Sequence, residues 1–178
     1  MSPMVRRPPG MELSLLGFLR QGPQHGYQIH QMVSDPHGLG SIWRIKQSQL
    51  YALLAKLEKE GYTWGQVEMQ GAARPPRRMY QLTANGIIAF KNWMQSPVNV
   101  PRSIRQEFMA KLYFARKEGK AQVKILIDAQ RQTCQNWLDA LVDKNIEQSS
   151  FKELIFQYRI GQIRATLVWL DTCLEKCD

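Results

Sequence analysis

The chain is poor in the residues from which disulfide frameworks, metal centres and hydrolytic sites are built. Its three cysteines, Cys134, Cys173 and Cys177, are odd in number and absent from the first 133 residues. A secreted disulfide scaffold needs an even set spread through a short chain, so reduced thiols in a cytoplasmic protein are the expectation. The three histidines, His25, His30 and His37, stand five and seven residues apart with no cysteine nearby. A helical metal site needs pairs at i+3 or i+4, or a CxxC, so no metal is predicted. No apolar run approaches the roughly 20 residues that cross a bilayer. Arg6 and Arg7 ahead of Leu13–Leu19 imitate a leader peptide. However, Pro8, Pro9, Gly10 and Glu12 interrupt it, Arg20 ends it, and no small-residue cleavage site follows. There is also no GxSxG, no nucleophile with a partner histidine, no phosphate-cradling glycine loop and no carboxylate cluster. An enzyme is not expected, and neither is a cofactor.

Acidic residues are scarce too, 15 against 24 Lys and Arg, for a net charge of +9 and a pI near 9.7. Such a surplus favours a polyanionic partner, either nucleic acid or an anionic membrane. It is uneven. Residues 1–97 hold 11 basic against 5 acidic side chains, and residues 98–178 hold 13 against 10. The polyanion is expected at the first half.

One stretch organises that half: KQSQLYALLAKLEKEG, from Lys46 to Gly61. Leu50, Leu53, Leu54 and Leu57 fall at i, i+3, i+4 and i+7, one stripe of a helix. The opposite face carries Ser48, Ala52, Ala55 and Lys59, with Tyr51 on one flank and Gln49 and Lys56 on the other. A face with little bulk at its centre, hydrogen-bonding groups at its N-terminal end and cations at its edges suits a DNA major groove. Taken alone, the helix fits an ordinary amphipathic core helix equally well, because alanine is also the best helix former.

Its surroundings decide. Residues 1–10 form a basic, proline-rich arm. Short helices are predicted over Met11–Arg20 and about Gln24–Val33, with a turn at Asp35-Pro36-His37-Gly38 between the second and the central helix. After Gly61 the period changes to two: Tyr62, Trp64, Val67 and Met69 suggest one strand, Met79–Leu82 another. The loop between them, GAARPPRR (71–78), carries Arg74, Arg77 and Arg78 on a proline-stiffened tip. A hairpin with a basic tip, directly after a helix, is a wing. A further helix follows from about Thr83 to Gln95.

Ser96 to Pro101 is the expected domain boundary, and beyond it everything reads as helix. The first runs from about Ser103 to Arg116. In the second, Val123, Ile127, Gln130, Cys134, Trp137 and Leu141 repeat at 4-3 spacing; in the third, about Phe151–Lys176, so do Ile163, Leu167, Leu170, Leu174 and Cys177. Gly161, mid-helix, costs about 1 kcal/mol against alanine, a cost that a close helix crossing there would offset. The predicted architecture is mainly α with a small β-hairpin wing: a winged helix-turn-helix domain at 11–97 and an α-helical domain at 98–178. Contiguous apolar patches on the last helices predict dimerisation.

In this order GPQHGY (22–27), QLYALLAKLEKEGY (49–62), RRMYQLTANG (77–86) and Trp93 resemble the PadR family of transcriptional regulators. RQEFMAKLYFA (105–115) and YRIGQIRATLVWL (158–170) are similar to that family's C-terminal helical domain. The resemblance implies a homodimeric repressor that binds an inverted-repeat operator in double-stranded DNA; some members release DNA on binding an aromatic or other small effector. Lys46, Gln47, Ser48, Gln49, Tyr51, Ala52, Lys56 and Lys59 then become the expected DNA-facing set of the central helix, with Arg74, Arg77 and Arg78 on the wing. His25 and Tyr27 fit either a phosphate contact or ordinary packing. Phe108, Tyr113 and Trp169 are the candidate effector residues. This chain departs from the family at Ser48 and Gln49, where Gly followed by Ser or Thr is usual, so no operator sequence is carried over. Its second half fits the longer subfamily, so no phenolic-acid ligand is carried over either. Two other readings compete: a helical interaction module that kept the winged scaffold, and a thiol- or metal-based sensor centred on Cys173 and Cys177.

Overall fold

A computed structural model describes residues 10–68, 77–142 and 150–176. The basic arm, Arg74 with its loop tip, and Cys177 lie outside the described residues.

A 3-10 turn (Met11–Leu13) leads into the short helix α1 (Ser14–Phe18). Then come a two-residue strand β1 (Gln24–His25), α2 (Gly26–Val33), and α3 (Gln47–Lys59). The expected leucine stripe of α3 faces inward: Leu50, Leu54 and Leu57 are fully buried and Leu53 is partly so. Gly61 ends the segment at a positive φ of 77°, a conformation that glycine adopts without a Cβ penalty. Strands β2 (Thr63–Glu68) and β3 (Arg77–Leu82) pair antiparallel, Thr63 opposite Leu82 and Glu68 opposite Arg77. Thr83 caps α4 (Ala84–Gln95): its Oγ1 accepts the Gly86 N–H at 3.0 Å, and its hydroxyl donates to the Gly61 carbonyl at 2.6 Å.

Among the described residues the sheet has three strands, not two, in the order β1-β3-β2. β1 pairs Gln24 with Tyr80 and His25 with Met79. Two residues are too few to show alternation, so this strand left no periodicity to read. Arg77 and Arg78 belong to β3 instead of the loop tip, because the ladder runs on to the Glu68–Arg77 pair.

Beyond a 3-10 turn (Pro101–Arg105) lie α5 (Glu107–Glu118), α6 (Lys120–Val142) and α7 (Ser150–Glu175). The 4-3 stripes of α6 and α7 close on each other within one chain. Val123, Ile127, Gln130 and Cys134 of α6 are buried, as are Ile163 and Leu170 of α7. Arg131 and Asp171 form an ion pair across the two helices. These stripes therefore do not constitute the free apolar surface expected of them. Among the described residues of one chain no helix packs on Gly161, where a Cβ would meet nothing within 4 Å. Among the described residues no helix is long and apolar enough to cross a membrane.

Packing continues across residues 96–100. Phe114 of α5 enters the first half and meets Phe18 and Phe90 edge to face, each at 5.3 Å between ring centroids, and Trp93 at 6.5 Å. Gly17 leaves the room, since a Cβ on it would run into the Phe114 ring. The buried Gln130 amide accepts the Val98 N–H at 2.8 Å. Lys111, only 2 % exposed, donates to the Ser96 carbonyl at 3.0 Å and hydroxyl at 3.2 Å, pairs with Glu107 at 3.2 Å and lies over the Trp93 ring.

Burial holds the Lys111 ammonium below its ordinary 10.5, with the Glu107 charge opposing. The folded protein therefore releases this proton at lower pH than the unfolded chain. Its stability contribution is fully present above 10.5 and is lost as pH falls through the depressed folded value. Lys111→Met should remove that rise. Urea unfolding of both proteins across alkaline pH checks it, and an unchanged difference between them at every pH would refute the assignment.

Candidate nucleic-acid interface

The helix-turn-helix is held together by repeated local devices. At the start of α2, the His25 N–H donates to Gln28 Oε1 at 2.8 Å; at the start of α3, the Lys46 N–H donates to Gln49 Oε1 at 3.0 Å. A glutamine at the third helical position thus satisfies an otherwise orphaned backbone donor in both helices. Gln49 consequently has a structural task besides its expected one, and its side-chain NH2 is what it has left to offer a base. His30 Nε2 lies 3.1 Å from the Ile45 carbonyl and ties α2 to the chain entering α3.

Gln47, Ser48, Gln49, Tyr51, Ala52, Ala55 and Lys59 are all exposed on α3. The smooth strip of Ser48, Ala52 and Ala55 therefore points away from the core, with Tyr51 beside it. The Tyr51 ring rests on Gly26, where a Cβ would collide with it. That glycine brings the first turn of α2 and the flank of α3 together. Tyr27 follows on α2, stacked on His25 at 5.8 Å and 13°, with the Arg77 guanidinium 5.3 Å from its ring centroid. His25 in turn lies 3.6 Å from Glu68. His25, Tyr27, Arg77 and Tyr51 form one aromatic and basic rim beside the exposed strip.

Two expected phosphate contacts are engaged inside the protein. Lys56 Nζ sits 2.6 Å from Glu12 Oε1 and 3.9 Å from Glu60. Burial pushes the Glu12 carboxyl up, but hydrogen bonds from Lys56 and from the backbone N–H groups of Glu12 and Gly10, with the Lys56 charge, bring it below the ordinary 4.5. Arg78 is likewise paired, Nη2 lying 2.6 and 2.7 Å from the two carboxylate oxygens of Glu58. Both acids come from elsewhere in the fold, 44 and 20 residues away in sequence. Lys46 and Lys59 remain exposed at the two ends of α3.

The effector candidates separate. Phe108 is fully buried in the core, and the partly buried Trp169 packs on it edge to face at 5.9 Å. Tyr113 lines a cleft of about 510 Å³ between the 37–42 turn and α5. His37, Ile42, Met109, Arg116 and Lys117 share its walls, and Lys117 Nζ lies 4.4 Å from the Tyr113 ring centroid. The basic pair Arg116-Lys117 closes the predicted helix, yet nothing local marked it as facing a cleft. Among the described residues no group of His, Cys, Asp and Glu is placed to hold a metal ion.

Residues 15–92 match the profile of the transcriptional regulator PadR-like family, and residues 104–178 match that of the virulence activator alpha C-terminal module. The negative transcriptional regulator PadR of Bacillus subtilis is 34% identical over 104 residues, covering 58% of this chain and 56% of that protein. The match therefore spans little more than half the length of this curated relative. Among solved structures, Bacillus subtilis PadR in complex with operator DNA is 26% identical over 94% of this chain and 99% of that one, with a TM-score of 0.47. The same protein with p-coumaric acid is 25% identical over 94% and 98%, with a TM-score of 0.41. The two profile matches follow each other in the order in which the wing and the long helices follow each other. Residues 15–92 are thus similar to the PadR-like transcriptional regulators, and residues 104–178 to the virulence activator alpha C-terminal module.

Proposed function

We propose that this protein is a cytoplasmic homodimeric repressor that binds an inverted-repeat operator and releases it on binding a small effector. The observation that carries the reading is the outward strip of Ser48, Ala52 and Ala55 on α3, with Gln47 and Gln49 at its N-terminal end and Tyr51, Tyr27 and Arg77 along its side. Small side chains let the helix approach base edges, and the polar ones at its start supply the hydrogen bonds that discriminate them. Lys46, Lys59 and Arg77 supply cations for the phosphates.

Support for the dimer comes from the face of α7 opposite its packed stripe. Phe151, Leu154, Tyr158 and Val168 are 70, 61, 64 and 67% exposed. With Gly161 and Ala165 they recur at spacings of three and four, one apolar stripe with small residues at its centre. Two such stripes laid together would bury apolar surface that a monomer leaves in water, and Gly161 would let the backbones come close. The Tyr113 cleft, with its aromatic wall and the cations of Arg116 and Lys117, fits a small anionic or aromatic effector.

The test is selection of duplexes from a random pool by the full chain, with affinity then measured at several salt concentrations. The expected product is an inverted repeat with half-sites about one helical turn, roughly 10 base pairs, apart. Its log affinity falls with log salt by about 0.9 per neutralised phosphate. A pool that does not enrich would refute the reading.

A further inference from the structure

We propose that Glu58 is a positioning residue for DNA binding, which holds the wing at a fixed angle to α3 through Arg78 and the Gly65 backbone. The inference deepens the reading above and rests on it. Glu58 stands in the last turn of α3, and one carboxylate gathers a group from each wing strand. From β2, the Gly65 N–H donates to Oε1 at 2.9 Å. From β3, Arg78 Nη2 donates to Oε1 at 2.6 Å and Oε2 at 2.7 Å. The guanidinium is seated as well as paired. It lies 5.9 Å from the Tyr80 ring centroid and passes over Gly65, where a Cβ would strike Arg78 Nε and crowd Glu58 Oε1 at 3.1 Å. A glycine in mid-strand weakens a strand, and a close approach of this kind is the reason such a position tolerates one.

An exposed ion pair alone adds little to stability. Its value here is geometric. Phosphate contacts fix register and orientation on the duplex, so a wing free to swing about its base would lose them even with every wing side chain intact. Arg78 then acts from the protein side of the wing, and Arg77, on the Tyr27 rim, is the member of the pair that faces outward.

The proposal makes a prediction against simple electrostatics. Glu58 is an acid beside a polyanion site, so removing its charge should strengthen DNA binding if the residue only competes for Arg78. The latch requires the reverse. Glu58→Gln and Arg78→Ala are compared with the parent full-length chain on a duplex enriched from the random pool. Each variant is expected to bind about fivefold more weakly, as for the loss of a phosphate contact. The double variant should be no weaker than the worse single one, because both remove the same latch. Hydroxyl-radical protection should fade at the outer flanks, under the wing, and persist at the centre, under α3. Thermal midpoints should change by no more than about 4 °C. Tighter binding by Glu58→Gln together with weaker binding by Arg78→Ala would overturn the proposal and make Arg78 a direct phosphate contact. Unchanged binding by both would overturn it too. Hydrogen exchange of the DNA-free chain separates this failure from failure of the functional reading. Both variants should speed exchange in residues 63–68 and 77–82 relative to α4, and unchanged exchange there refutes the latch whether or not any duplex is bound.

Discussion

Ala52→Glu folds as the parent does and loses specific DNA binding by about a hundredfold or more, equivalent to roughly 2.7 kcal/mol. Ala52 is exposed at the middle of the α3 strip, one helical turn from both Ser48 and Ala55. Glutamate is nearly as good a helix former as alanine, so the helix itself loses only a few tenths of a kcal/mol. On a bound duplex the same change places a carboxylate and one further methylene, four added heavy atoms in all, against the floor of the major groove. The groove is walled by phosphates, and the new charge must shed water without gaining a cation, since the nearby Lys56 is already engaged by Glu12. A single mismatched base pair costs about 1–3 kcal/mol in such interfaces, and this change disturbs the docking of the whole helix. Anisotropy titration on the selected duplex reads the loss, and a circular dichroism melt reads the fold. Affinity within threefold of the parent would reverse the face assigned to α3.

Phe114→Ala is the other large effect, a loss of about 3–5 kcal/mol of unfolding free energy. Phe114 is 5% exposed and touches rings contributed by α1 and α4, besides its neighbour Tyr113 on α5. Truncation removes apolar burial and leaves a cavity that the surrounding aromatics, themselves held by helix backbones, cannot collapse to fill. Phe114→Leu keeps most of the volume and should cost about half as much. The site also joins the winged part to the long helices. The alanine variant should therefore weaken DNA binding below the parent's even at temperatures where it remains folded, because the two winged parts of the proposed dimer would no longer be held at a fixed separation. Urea unfolding gives the first quantity directly. A loss below about 1 kcal/mol would mean that the halves do not share a core.

These two sites differ in how far they could be read from the chain. Ala52 was legible, because a helix converts spacing into direction: four leucines at i, i+3, i+4 and i+7 fix which residues must lie opposite. Phe114 was marked by no spacing, standing only within the RQEFMAKLYFA segment, and the rings it meets come from α1 and α4, far away in sequence. The wing was legible as a hairpin, yet the third strand was not, since Gln24 and His25 are extended only because β3 lies alongside. Tyr113 was singled out with Phe108 and Trp169 as one group, and packing divided them between a cleft wall and a filled core.

Local periodicity therefore determined the helices, the wing, the inward leucines of α3 and the small outward strip beside them. It could do so because each depends on neighbours within two helical turns or one hairpin. What only the tertiary structure decided is which charges are already spoken for and which apolar stripes are already covered. Lys56 and Arg78 looked as available as Lys59 and Arg77, until the fold brought Glu12 and Glu58 to them. The 4-3 stripes of α6 and α7 looked like a dimer seam, until the two helices closed on each other and left the opposite face of α7 bare. An ion pair across 44 residues, or a choice between packing within one chain and packing between two, depends on long-range approach, and a sequence pattern is the same on either side of that choice.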